Sequence, residues 1–563
     1  MATRFRAQRT ADGDAPQGLF ALLAGVFLTC ATVWLLAGAW IEIVLRTNAV
    51  TQANALVASA LLTAIVLGWI ASAMAWRLAN TLALLVQALA GITLLILTAL
   101  QWDMRDLPYD LLDTPILGEL MILAGAMFSG WSLIRHRAPD AAVGALANWL
   151  LAWSGLWWFG TILPTVALWL ALHYQRLIQS SGTGDAPFWP AYALLLVAGS
   201  APLLWLSRRL RWPALRWSGV PIWGLLLGAT VFLLEGLYGE YRLPSVESAA
   251  AGLALWLTAE WLLDAWPANG WHIDTRILVL LHTLRSAGPW LMIWPLAGIC
   301  IARWLAGGNP AQARLLLDAG WHGSANWARF VPAWLTMAAL AWLMRRAQAD
   351  AWPVRPVAPW YRQFLIPLAC AWSLLLVAVW NLTQDGAMAP LPYVPLLNPL
   401  DLSSAFALPL AFACYRMLTT GAQAVVPAAP VRTRLAIAAA LLGYSWLNLA
   451  LLRAVAHYLG LAYDVDALYA SHVVQAMLSL LWSVTALLVM LRAARHAARL
   501  AWIPGAALLG LVVAKLFLVD LSNVGGIERI ISFLGVGALM VGIGYLAPYP
   551  APRAAPAIRP GSP

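Results

Sequence analysis

LVVAKLFLVDLSNVGGIERIISFLGVGALMVGIGY, residues 511–545, is a pair of apolar runs of helix length joined by a short polar turn. A hydrocarbon core about 30 Å thick takes about 20 apolar residues of α-helix to cross. Inside it, only helices and closed barrels satisfy their own backbone groups. The hairpin holds Lys515, the sole lysine among 34 basic residues, with Asp520 and Arg529 near the turn. Each such charge costs roughly 2.5–3.5 kcal/mol at the centre of a span, so its placement calls for a reason.

Comparable runs fill the rest of the chain. They lie near 18–45, 54–76, 78–101, 115–134, 143–172, 187–206, 217–238 and 246–265. They continue near 277–305, 329–344, 362–380, 402–418, 433–456, 469–491, 500–519 and 527–546. These sixteen runs predict an all-α polytopic integral membrane protein. Arginine-rich stretches alternate with them: Arg4, Arg6 and Arg9, then Arg135 and Arg137, then Arg208, Arg209, Arg211 and Arg216. The alternation continues through Arg345, Arg346, Arg355 and Arg362, then Arg416, Arg432 and Arg434, and ends at Arg492, Arg495 and Arg499. Positive charge is retained on the cytoplasmic side, so both termini are expected there. Residues 1–17 then form a cytoplasmic tail, 18–546 a multispan domain, and the Pro/Ala-rich 547–563 a disordered cytoplasmic tail.

Composition agrees. Charged residues are 10% of the chain and apolar ones 62%, against about 25% charged in soluble domains. The net charge of +10 is spread over short loops, with no patch long enough to neutralise a run of phosphates, which excludes a nucleic-acid partner. Cys30, Cys300, Cys370 and Cys414 fall inside apolar runs and read as small hydrophobes rather than disulfide partners. Many of the 34 tryptophans sit near run ends, at headgroup level.

Several polar constellations interrupt the apolar pattern. The stretch 102–119, WDMRDLPYDLLDTPILGE, holds Asp103, Asp106, Asp110, Asp113 and Glu119. Such acids serve a transferase, or else form the acidic face of a short interfacial helix, whose i, i+3 and i, i+4 spacing they match. His282 and Arg285 share a face just before Gly288-Pro289. They belong either to a broken anion-binding helix or to an interfacial stretch that precedes the span. Glu260 lies deep in its run, as a proton relay, a cation ligand or an interhelical hydrogen bond. Arg453 and His457 are four apart, and His472 and Gln475 open the next helix. No HxxxH or HxxE spacing supports a metal there, and no cofactor motif emerges. Lys515 either snorkels to the surface or turns inward to meet an anion.

Three stretches carry a family resemblance. GAALLGLVVAKLFLVDLSNVGGIERIISFLGVGALMVGIGYLAPYP (505–550), PYVPLLNPLDL (392–402) and RAVAHYLG…SHVVQAMLSLLW (453–482) resemble a bacterial membrane-protein family termed "domain of unknown function 2339". The likeness is specific over roughly the last 170 residues and compositional before them. It implies a multispan helical protein of the bacterial inner membrane and supplies no mechanism.

The residues favour a non-enzymatic role, either translocation of an anionic or zwitterionic amphiphile or envelope maintenance. Membrane lipids and a lipid-like substrate are the expected partners. Asn398, Asp401, Arg453, His457, Gln475, Lys515, Asp520 and Arg529 are the candidate polar cavity walls. His282, Arg285, Glu260, Asp103 and Asp106 are secondary candidates. A transferase acting on a lipid-linked sugar and a scaffold of an envelope complex are the alternatives.

Overall fold

A computed structural model describes residues 17–101, 111–136, 141–178, 188–268, 271, 273–318, 327–387, 392–419, 428–496 and 498–516, together with 534, 537, 541, 542 and 545. Among these residues the secondary structure is helical, with no strand. Thirteen helices among the described residues are long and apolar enough to cross a membrane. The chain is an all-α polytopic membrane protein.

The helices, numbered in chain order, begin with α1 (Gln17–Arg46), α2 (Ala49–Met74), α3 (Arg77–Gln101), α4 (Ile116–His136) and α5 (Ala141–Trp157). A π-helical turn, Trp158–Ile162, joins α5 to α6 (Leu163–Ile178) without a break. Then come α7 (Phe188–Arg209), α8 (Val220–Tyr238), α9 (Val246–Ala268), α10 (Thr275–Leu305) and the short α11 (Pro310–Asp318). They are followed by α12 (Trp327–Gln348), α13 (Ile366–Thr383), α14 (Pro399–Thr419) and α15 (Ala428–Leu459). The last are the six-residue α16 (Val465–Ala470), α17 (His472–Arg495) and α18 (Arg499–Lys515).

Helices accordingly occupy fifteen of the sixteen apolar runs read from the sequence. The helix α9 is outside the thirteen candidate spans, and α18 is described for only 17 residues. The sixteenth run, near 527–546, and both tails lie almost wholly outside the described residues. Of the two readings given for residues 282–289, the broken helix is not the one that forms. Gly288-Pro289 does not break its helix, because α10 runs through Pro289 and Pro295 as one element of 31 residues.

The chain divides into two compact units, residues 1–236 with 244–285 and residues 237–243 with 286–563. In the first unit, α1–α3 meet on small side chains: Ala60, Ala64, Ala79, Ala83 and Ala90 are buried among Leu28, Leu36 and Leu67. Lipid is as apolar as leucine, so close backbone approach rather than water exclusion holds such helices together. A second core joins α7–α9 through Ala193, Leu196, Ile222, Leu226, Ala251, Leu255, Ala259 and Leu262. Outward-facing Trp34, Ile65, Trp69 and Val231 are exposed, as lipid-facing side chains should be. In the second unit polar contacts recur between helices: Trp334 to Ser403, Asn381 to Ser404 and Trp482 to Asn448.

Candidate functional site

Among the described residues of the second unit, a dense polar cluster grows from the start of α14. Pro399 opens the helix, where a missing N–H costs nothing. Asn398 caps it: its Oδ1 accepts from the Asp401 N–H at 2.9 Å, and its Nδ2 donates to Asp401 Oδ2 at 2.5 Å. Asp401 Oδ2 also accepts from the Leu396 N–H at 3.2 Å, and Leu396 is held in the left-handed region at φ 65°. Asp401 Oδ1 accepts from Trp446 Nε1 at 3.1 Å and from Arg453 Nη2, both on α15. The Asp401–Arg453 pair is fully buried.

Arg453 reaches on to the end of α13, where the Asn381 carbonyl accepts from its Nη1 at 3.4 Å and from the Tyr463 hydroxyl at 3.3 Å. Gly386, at φ +76°, closes the cluster: a Cβ there would lie 3.2 Å from Asn398 Oδ1 and 3.5 Å from Arg453 Cδ. A buried ion pair is tolerated when further hydrogen bonds satisfy its remaining atoms. Here the carboxylate is saturated and the cluster clamps α13, α14 and α15 together.

The remaining predicted residues separate into smaller groups. His457 is exposed and lies over the Tyr393 ring at 4.4 Å between centroids. Tyr393 itself is buried, and its hydroxyl has no partner among the described residues. Burial, then the nearby Asp401 charge, pushes this phenol up to about 12. Lys515 turns inward: its Nζ donates to the Gln475 carbonyl at 3.0 Å and to Ser479 Oγ at 2.8 Å, which joins α18 to α17. Gln475 Nε2 in turn donates to the Tyr469 carbonyl at 3.2 Å, tying α16 to α17. Asp520 and Arg529 lie outside the described residues.

In the first unit, Arg285 on α10 pairs with Glu260 on α9, and His282, one turn earlier, is buried. Arg285 therefore has a carboxylate partner in place of the anion site expected from a broken helix. Asp103 and Asp106 lie outside the described residues, and the transferase reading that depends on them gains no geometry. Of that acidic stretch the structure describes Asp113, which is exposed, and Glu119, which is fully buried.

Two cavities lie apart from these clusters, one in each unit. The first, about 600 Å³, is lined by α3, α4, the π-turn, α6 and the start of α7, and Glu119 is on its wall. The second, about 1070 Å³, runs between α12 and α14. Trp334 Nε1 donates to Ser403 Oγ at 2.8 Å, pairing an early turn of α12 with an early turn of α14. The two helices therefore run the same way. Trp334, Leu335, Ala338, Phe406 and Leu410 give the cavity an apolar flank, and Arg345 and Arg416 fall together toward the C-terminal ends of the helices. Arg362 joins them: its Nη1 donates to the Ala347 carbonyl at 2.6 Å and lies 4.0 Å from Asp350.

Sequence reasoning used Arg345, Arg362 and Arg416 only as topology markers and grouped Glu119 with an exposed acidic face. The available signal was positional. Glu119 sits inside an apolar run after Pro115, and the three arginines converge only once α12 and α14 are known to be parallel.

Helices of this length and apolarity define a multispan α-helical membrane protein. The chain belongs to the family described as "predicted membrane protein", domain of unknown function 2339, whose pattern matches residues 161–550. The match reaches well beyond the last 170 residues and takes in α6 to α18. No curated protein and no solved structure matches the chain.

Proposed function

We propose that this protein binds an anionic amphiphile in the α12–α14 cavity and moves it within the membrane. The carrying observation is the join of an apolar channel of about 1070 Å³ to three guanidinium groups at one end. A volume of this order exceeds that of most small-ligand pockets, roughly 300–1,000 Å³, and suits a chain-bearing molecule. Arginine forks engage phosphate or carboxylate bidentately, which a lysine cannot match. Cations near helix C-termini are also favoured by the helix dipole, so the site is positive without strain. Arg362 is anchored by Ala347 and Asp350, and Arg345 and Arg416 are exposed at the same end of the cavity.

The test is transbilayer movement of fluorescent phosphatidylglycerol in liposomes, read by dithionite quenching. Liposomes holding the protein should exchange the probe faster than empty ones. The double variant Arg345→Gln/Arg416→Gln should fall back toward the empty rate. Equal rates with and without protein, or an unaffected double variant, remove this reading.

A further inference from the structure

The first-unit cavity has the opposite polarity, and what it offers a ligand can be read atom by atom. Its wall is apolar where Leu95, Ala99, Pro164, Leu168 and Phe188 line it. Its polar groups are Glu119 and three threonines, Thr98, Thr161 and Thr165. Glu119 is fully buried; the Thr161 hydroxyl lies beside its carboxyl, and with that proton on the Trp157 carbonyl neither carboxyl oxygen accepts a hydrogen bond from the described residues.

The position is built. The Gly118 N–H donates to Asn54 Oδ1 at 2.8 Å, docking the first turn of α4 on α2. A Cβ at Gly118 would lie 2.9 Å from that oxygen, so the approach needs glycine. Glu119 is thereby fixed on the cavity side. The π-turn brings Gly160 and Thr161 to the same wall, and such turns re-aim side chains by one position.

The threonines decide the ligand class. Thr98 Oγ1 donates to the Leu94 carbonyl at 2.9 Å and Thr161 Oγ1 to the Trp157 carbonyl at 2.9 Å. With their protons committed, both hydroxyls can offer only lone pairs to the cavity. A carboxylate and two hydroxyl acceptors suit a head with several N–H donors, and the surrounding wall suits a hydrocarbon tail.

We infer that this cavity is a binding site for an amphiphile with a primary ammonium head, held by Glu119, Thr98 and Thr161. A quaternary ammonium has the charge without the donors, and an alcohol has one donor without the charge. Both should bind worse. The site is independent of the arginine-ended cavity and of the function proposed for it.

The experiment uses the full chain in phosphatidylcholine nanodiscs and a photoreactive probe, a long-chain primary amine with a diazirine in its tail. Labelled peptides are mapped by mass spectrometry. Label should concentrate in residues 95–99 and 160–168, and unlabelled dodecylamine should compete for it. Dodecyltrimethylammonium and dodecanol should compete at least roughly tenfold less well, the scale of a lost charge-assisted hydrogen bond. Glu119→Gln should lower the label by a similar factor, and Leu168→Trp should lower it by filling the cavity while leaving the carboxyl in place. Label spread evenly over the spans overturns the site. Equal competition by the trimethylammonium probe on the unaltered protein overturns the headgroup assignment, whether or not the variants fold.

Discussion

Asp401 and Glu119 are both fully buried carboxyls, one in each unit, and their surroundings differ in every respect. Asp401 accepts from Asn398, Leu396, Trp446 and Arg453 and faces no described cavity. Glu119 accepts from no described donor and faces a largely apolar cavity of about 600 Å³. A buried polar group costs free energy unless it is hydrogen-bonded, so the saturated carboxyl reads as structure and the unsaturated one as a site. Extended to the second cavity, the same logic turns on sign. Arg345 and Arg416 present donors where Glu119 and its threonines present acceptors.

The largest effect should come from breaking the buried Asp401–Arg453 pair. Arg453→Ala or Asp401→Ala leaves a buried charge unpaired and should cost about 3–5 kcal/mol, read by unfolding the purified protein with a denaturing detergent. The double variant Asp401→Asn/Arg453→Met should recover much of that loss. A single variant as stable as the parent would show that the pair is not a clamp. Gly386→Ala should follow at about 1–2 kcal/mol, since it forces a Cβ into a left-handed position against Asn398.

A smaller effect is expected where Lys515 links α18 to α17. Removing both hydrogen bonds with Lys515→Met should cost about 1–2 kcal/mol. Lys515→Arg should restore only part of it, because the planar fork does not reproduce an ammonium placed on a carbonyl and a hydroxyl. Full rescue by arginine would mean that charge alone is needed there.

The smallest effect concerns Tyr393, whose hydroxyl has no partner among the described residues. Tyr393→Phe should change stability at neutral pH by no more than about 0.5 kcal/mol. The phenol titrates higher in the folded protein than in the unfolded chain, near 12 against an ordinary 10.0. Its contribution is therefore intact below about pH 10 and lost as pH rises through about 12. Stability curves of the parent and of Tyr393→Phe should diverge only in that alkaline window. Divergence near neutrality would mean that the hydroxyl is bonded after all.

Much of this was legible in the residues. Apolar runs of span length located the helices because the bilayer leaves no other way to satisfy the backbone. Asn398, Asp401 and Arg453 stood out because polar groups are rare in such runs. That a charge needs a partner follows from its cost; which partner does not, since Asp401 and Arg453 are 52 positions apart. The spacing that grouped Glu119 with Asp113 assumed one helical face. Pro115 and the Leu111–Asp113 turn instead start α4 afresh, leaving Asp113 outside and Glu119 inside. The arginines of the second cavity entered the sequence reading only as topology markers, and their convergence depends on two helices running in parallel, which no local sequence signal encodes.

The contrast in sign between the two cavities is tested most directly by a matched pair of photoreactive probes on the full chain. They share one diazirine-bearing alkyl chain and differ only in the head, phosphate in one and primary ammonium in the other. The account predicts a crossed pattern. The phosphate probe should label residues 331–345 and 406–417, with loss of label in Arg345→Gln/Arg416→Gln, and the amine probe should label residues 95–99 and 160–168. Identical maps for both heads, or a phosphate map indifferent to the two arginines, would contradict it.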